Sequence, residues 1–77
     1  MSWNYRVVKK VTKIPLGEID INYEIHNVYY DENEDIVNIG KISFPISDDV
    51  DRLKHNLKQM LEACKKPVID YNTGEEE

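Results

Sequence analysis

The sequence predicts an α+β domain in which a three-stranded antiparallel sheet is covered on one face by a single helix. The predicted order is β-β-β-α, with a possible short C-terminal strand. Two observations lead to this fold class. Apolar and polar residues alternate with period two through three successive segments. A segment with helical spacing follows, and its apolar stripe is suited to cover one apolar sheet face.

The first two strands are predicted over residues 3–12 and 18–30, and Pro15 and Gly17 mark the turn between them. Their alternation separates two faces of the sheet. The first, called here the apolar face, is expected to lie under the helix and carries Trp3, Tyr5, Val7, Val11, Ile19, Ile21, Tyr23, Ile25 and Tyr29. The second, called the polar face, is expected to be open and carries Asn4, Arg6, Val8, Lys10, Asn22, Glu24, His26, Val28 and Tyr30.

The third strand is predicted over residues 36–44, where Gly40 weakens the pattern and suggests a bulge. The helix follows, with candidate N-caps at residues 47–49 and a stop at Pro67. Its predicted stripe consists of Val50, Leu53, Leu57, Met60, Leu61 and Cys64. Val68 and Ile69 could add a short edge strand. Residues 1–70 are therefore predicted to form a single domain, and the acidic residues 71–77 a disordered tail.

Composition restricts the class of protein. The chain has 77 residues, one cysteine and a net charge of −5. A domain of this size has little room for a deep catalytic cleft, so we expect no enzyme. The negative charge makes nucleic-acid binding unlikely on electrostatic grounds. A lone thiol, an N-terminus without an apolar signal region and short apolar runs predict a cytoplasmic protein with no membrane segment.

The stretch Asp31-x-Asn33-x-Asp35 has the opening spacing of a calcium-binding loop. Such a loop needs glycine at its sixth position and a bidentate glutamate at its twelfth, but Ile36 and Ile42 stand there. We therefore interpret the stretch as a solvated hairpin turn and predict no metal site, because Asp and Asn hydrogen-bond their own backbone in turns.

Candidate functional residues concentrate on the polar face. Glu24 and His26 lie two residues apart on one strand, so an acid/base or metal role and a plain surface pair are both possible. His55 is expected to face solvent, and Cys64 to pack as a small hydrophobe. The predicted binding residues are Arg6, Lys10, Glu24, His26, Val28 and Tyr30, with no catalytic residue, no metal ligand and no cofactor.

The opening "MSWNYRVV", the strand-turn "YEIHNVYYDENED" and the helix end "LKQMLEACKKPVID" are the most distinctive motifs of the chain. In these motifs the chain resembles a family of short, uncharacterised, mainly bacterial proteins. The resemblance covers nearly the whole sequence and implies a fold but no activity. The element order is also similar to that of antitoxin domains of the HicB type, a likeness of topology alone.

These observations predict a small, non-catalytic binding or accessory domain that acts through its open sheet face or a free sheet edge. The expected partner is another protein or a second copy of the chain. Two alternatives remain. One is an antitoxin-like or nucleic-acid-associated regulator that uses Arg6 and Lys10. The other is a minor metal-dependent or acid/base enzyme at Glu24 and His26.

Overall fold

The computed structural model describes residues 2–77 and confirms the α+β fold. The chain forms β1 (Ser2–Lys13), β2 (Ile19–Tyr30), β3 (Ile36–Ile42), α1 (Val50–Ala63) and β4 (Ile69–Asp70). The sheet order is β3-β2-β1-β4. Strands β1, β2 and β3 are antiparallel, whereas the short β4 lies parallel to β1. In the part of the chain that the structure describes, no helix has the length and hydropathy to span a bilayer.

The β1–β2 hairpin pairs residues along the full length of both strands. Its register sets Arg6 opposite His26 and Val7 opposite Ile25. Directly paired residues project to the same side of a sheet, so the predicted division into an apolar and a polar face is confirmed. Gly17 closes the turn with φ of +87°, a conformation that favours glycine.

The turn between β2 and β3 is the predicted hairpin tip. The Asp31 side chain accepts hydrogen bonds from the backbone N–H groups of Asn33 and Asp35, at 2.9 and 3.0 Å. Beyond it, β3 pairs with β2 through two shifts of register. Gly40 is needed there, because a Cβ would lie 2.8 Å from the Tyr29 ring and 3.0 Å from the Asn27 carbonyl oxygen.

Helix α1 begins at the N-cap Asp49, whose side chain accepts a hydrogen bond from the Asp51 backbone N–H. Its contacts with the sheet are made mainly with β1. Met60 and Ala63 are buried, and Leu53 and Asn56 are partly buried on the same side of the helix. The predicted stripe is therefore used only in part: of its six residues, Leu53 and Met60 are at least partly buried. Its other members, here called the helix stripe, remain exposed: Val50, Leu57, Leu61 and Cys64.

The C-terminal segment, defined here as residues 67–77, folds back onto the sheet. Ile69 bridges to Glu76 in antiparallel fashion, and the Glu77 backbone N–H donates to the Val68 carbonyl at 2.8 Å. The sequence predicts a disordered tail over residues 71–77, and in the structure these residues lie against β1 and β4. The acidic composition indicated disorder, but these side chains find cationic partners on β1.

The central cluster of buried residues lies on the polar face, and Met60 and Ala63 of α1 are buried apart from it. Val8, Val28 and Ile69 form its centre, and Tyr30, Ile36 and Ile39 pack against them. Ile69 comes from β4, so the core closes only when the C-terminal segment adds its strand beside β1. Trp3 and Tyr23, which were expected to be core, are exposed, and so is Cys64.

Candidate functional site

The six predicted binding residues lie together on the polar face, but this face is not open. Arg6 is 4% exposed, His26 is 3% exposed and Val28 is fully buried. We expected this face to be open, but the C-terminal segment covers it from the β4 side. Glu76 reaches Arg6 with its carboxylate, and the Tyr71 ring lies beside Lys10 and His26.

Arg6 is the centre of the first of two polar clusters. Its guanidinium donates to the Tyr30 hydroxyl at 3.0 Å and to the Pro67 carbonyl oxygen at 2.7 Å. It also forms an ion pair with the Glu76 carboxylate at 3.1 Å. The Tyr30 hydroxyl donates onward to the Asn4 side-chain oxygen at 2.7 Å. A buried arginine is costly unless it is paired, and these contacts tie β1, β2 and the C-terminal segment together.

His26 is the centre of the second cluster. Its Nδ1 lies 3.0 Å from the Gly40 carbonyl oxygen, and its Nε2 lies 3.2 Å from Glu24 Oε1. Both contacts are with acceptor oxygens, so His26 donates in both only when both of its ring nitrogens carry a proton. Lys10 Nζ lies 3.4 Å from the same Glu24 oxygen and 4.6 Å from the centre of the Tyr71 ring. The hydrogen bond from His26, helped by the Lys10 charge, lowers the pKa of Glu24.

Burial differs among the residues that the alternative functions would use. Glu24 and His26 are in contact, and His26 is almost fully buried, whereas the Glu24 side chain is 24% exposed. Arg6 is almost fully buried, whereas the Lys10 side chain is 37% exposed. Across residues 2–77, no three His, Cys, Asp or Glu side chains converge as metal ligands do. The geometry of the two clusters is suited to holding the C-terminal segment against the sheet.

The exposed surface lies on the opposite side of the sheet. On the apolar face, Ile19 is 61% exposed, Tyr23 is 63% exposed, and Trp3 and Ile21 are about half exposed. Tyr5, Val7 and Val11 of β1 are better covered, because α1 lies next to that strand. The helix stripe adds further apolar area, with Val50 and Leu61 both more than 60% exposed.

Sequence reasoning missed this exposed apolar area, although a signal for it exists. A helix of 14 residues is about 21 Å long, whereas each 12-residue strand of the hairpin extends for about 40 Å. One such helix cannot cover the hairpin. Element lengths alone therefore indicate that part of the apolar face stays uncovered.

Among the described residues, strand β3 forms a free edge of the sheet, whereas β4 pairs with β1 only at Val8 and Lys9. Strand β3 pairs with β2 on one side only and forms the outer strand, as the prediction of an unpaired edge allowed. On the other side of the sheet, the backbone of the short β4 is paired with the C-terminal segment at Glu76. An open edge strand can accept a further strand from a partner.

Comparisons with known proteins add no relative: no family model matches the chain, and no curated protein or solved structure is similar to it. The resemblance to short bacterial proteins stays a prediction.

Proposed function

We propose that this chain is a small, non-catalytic protein-binding domain that acts through its exposed apolar face and the neighbouring helix stripe. The proposal keeps the predicted function class but moves the docking surface from the polar face to the apolar one. We also propose that the domain works in the cytoplasm, which the single thiol favours.

One observation carries the proposal. Large apolar and aromatic side chains of β2 stand exposed side by side, while the polar face of the same strands is filled by the two clusters. Exposed apolar patches on small domains are typical of protein interaction surfaces, and tyrosine and tryptophan are enriched in them. A catalytic role has less support, because His26 of the Glu24–His26 pair is almost fully buried.

The test is photo-cross-linking in the source cell. A photoreactive residue at Tyr23, on the apolar face, is expected to capture protein, and Ile21→Asp in the same chain is expected to abolish that capture. The matched control places the same photoreactive residue at Glu32, an exposed position in the β2–β3 turn. Capture at Glu32 but not at Tyr23 would contradict the proposal, and so would capture that Ile21→Asp leaves unchanged.

A further inference from the structure

Helix α1 carries two apolar lines, and only one of them has a partner within the described chain. Met60 and Ala63 face the sheet. Val50, Leu57, Leu61 and Cys64 also share one side of the helix, about 100° around its axis from the first line, because each residue advances by about 100°. An amphipathic helix normally buries its apolar side chains, so this second line requires an occupant.

We propose that the helix stripe is covered by a second copy of this chain, in an antiparallel pair of α1 helices related by a two-fold axis near Leu57. The inference rests on the proposed function and names its partner. Two-fold pairing is the commonest symmetric arrangement of soluble proteins, and it requires a surface that is complementary to itself.

The exposed surface area of the chain is larger than expected, by an amount close to the area that a dimer interface buries. The described fold exposes 5968 Å². A compact monomer of 9.1 kDa exposes about 4,900 Å², so this chain exposes roughly 1,100 Å² more than expected for its mass. A stable interface buries about 800 Å² on each partner. One such interface is therefore close in size to the additional exposed surface.

The spacing of the helix stripe is complementary to itself. In an antiparallel pair, residues equally far on either side of the axis face one another. With the axis at Leu57, Val50 lies seven residues before it and Cys64 seven residues after it. Val50 then faces Cys64 of the second copy, and Leu57 faces its own copy. Leu61 lies opposite Leu53 of the second copy, a residue outside the helix stripe that is partly buried in its own chain. Each position of the helix stripe thus meets an apolar residue.

The charges at the two ends of the helix favour the antiparallel direction. Asp48, Asp49 and Asp51 surround its N-terminus, and Lys65 and Lys66 follow its C-terminus. An antiparallel pair brings the acids of one copy near the lysines of the other, and it also opposes the helix dipoles. A parallel pair would place like charges together.

Two lysines, Lys54 and Lys58, flank the middle of the helix stripe and repel each other across the pair. Both are exposed, and their flexible stems let the amino groups reach water while the methylene groups cover apolar surface.

Disulfide trapping tests the arrangement, with native Cys64 as one half of the pair. Residues 50 and 64 of one helix are about 21 Å apart, so they cannot join within a chain. Val50→Cys treated with oxidised glutathione is expected to give a covalent dimer. The matched control is His55→Cys, an exposed position on the other side of the helix, which is expected to give much less dimer.

Sedimentation of the unmodified chain provides the second measurement. The wild type is expected to be a dimer, Leu57→Glu a monomer with unchanged helical circular dichroism, and Lys58→Glu a dimer. A wild type that is monomeric at every concentration overturns the inference. If that monomer still captures another protein at Tyr23, the proposed function stands although the pairing of two copies is ruled out. If His55→Cys and Val50→Cys form the disulfide-linked dimer to the same extent, the antiparallel arrangement of the helices is also overturned.

Discussion

Individual buried polar residues decide how the polar face is closed. Arg6 and His26 lie in the sheet interior with acceptors placed around them, and each is held by groups from more than one element. Arg6 Nε is the one buried side-chain polar atom without a partner in residues 2–77. The contacts of Arg6 join β1, β2 and the C-terminal segment, and those of His26 join β2 and β3.

At the residue scale, Glu24 makes the stability of the fold depend on pH in the acidic range. Its folded pKa lies below its usual value of 4.5, because it accepts a hydrogen bond from His26 and sits beside Lys10. The ionised carboxylate therefore stabilises the fold above that value, and this contribution is lost as the pH falls through the folded pKa.

We expect Glu24→Gln to be less stable than the wild type at pH 6 and to lose less stability on going from pH 5 to pH 3. Urea unfolding at several pH values measures both effects. Exposed Glu32→Gln serves as the control and should follow the wild-type curve. If the free energy of unfolding falls equally for Glu24→Gln and the wild type between pH 5 and pH 3, the contact with His26 contributes nothing to stability.

At the element scale, the helix covers less of the sheet than predicted, and the C-terminal segment covers more. The helix, predicted to cover one face, buries mainly Met60 and Ala63. Ile69, from the possible short strand predicted at Val68 and Ile69, completes the core, and Tyr71 and Glu76, from the tail predicted to be disordered, cover the polar face. The segment is acidic, and Glu76 and Glu77 neutralise Arg6 and Lys9 of β1.

We expect removal of residues 72–77 to lower the free energy of unfolding, because it leaves Arg6 without its counter-charge and uncovers the polar face. Glu76→Gln removes only the ion pair and should cost about 1 kcal/mol, since the carboxylate is half exposed. Urea unfolding gives both values, with Glu75→Gln as the control for charge. A truncated chain as stable as the wild type would mean that the tail does not close this face.

At the scale of the whole molecule, the fold is flat and its core is small. The extents are 44 × 31 × 19 Å, and the radius of gyration of 14.0 Å exceeds the roughly 11.5 Å expected for 77 compact residues. Within the described residues, five apolar side chains are buried: Val8, Val28, Met60, Ala63 and Ile69. Such a domain gains much of its stability from whatever covers its apolar surface.

We therefore expect thermal stability to depend on protein concentration. If folding is coupled to pairing of the helix stripe, the melting temperature of the wild type rises with concentration, because association draws the folded state out of the unfolding equilibrium. Leu57→Glu should melt at one temperature whatever its concentration. Calorimetry over a hundredfold range of concentration makes the comparison, and a wild-type melting temperature that does not move would contradict the coupling.

The order of elements and the membership of each sheet face could be predicted from the sequence. Alternation in β1 and β2 assigned Arg6, His26 and Tyr30 to one face and Val7 and Ile25 to the other, and the strand register confirms this. The hairpin turn at Asp31 was also predictable. These features depend on local geometry, because successive side chains of a strand point to opposite sides whatever the rest of the chain does.

Which face is covered, and by what, was decided by the tertiary structure alone. That outcome depends on two elements that follow the hairpin in sequence. One is a helix too short to cover the hairpin, and the other is a C-terminal segment whose glutamates bind Arg6 and Lys9 across about 70 residues of chain. Local periodicity carries no information about such competition between distant elements. For this reason the same six residues that alternation grouped correctly lie beneath the C-terminal segment, and the exposed surface lies on the other face.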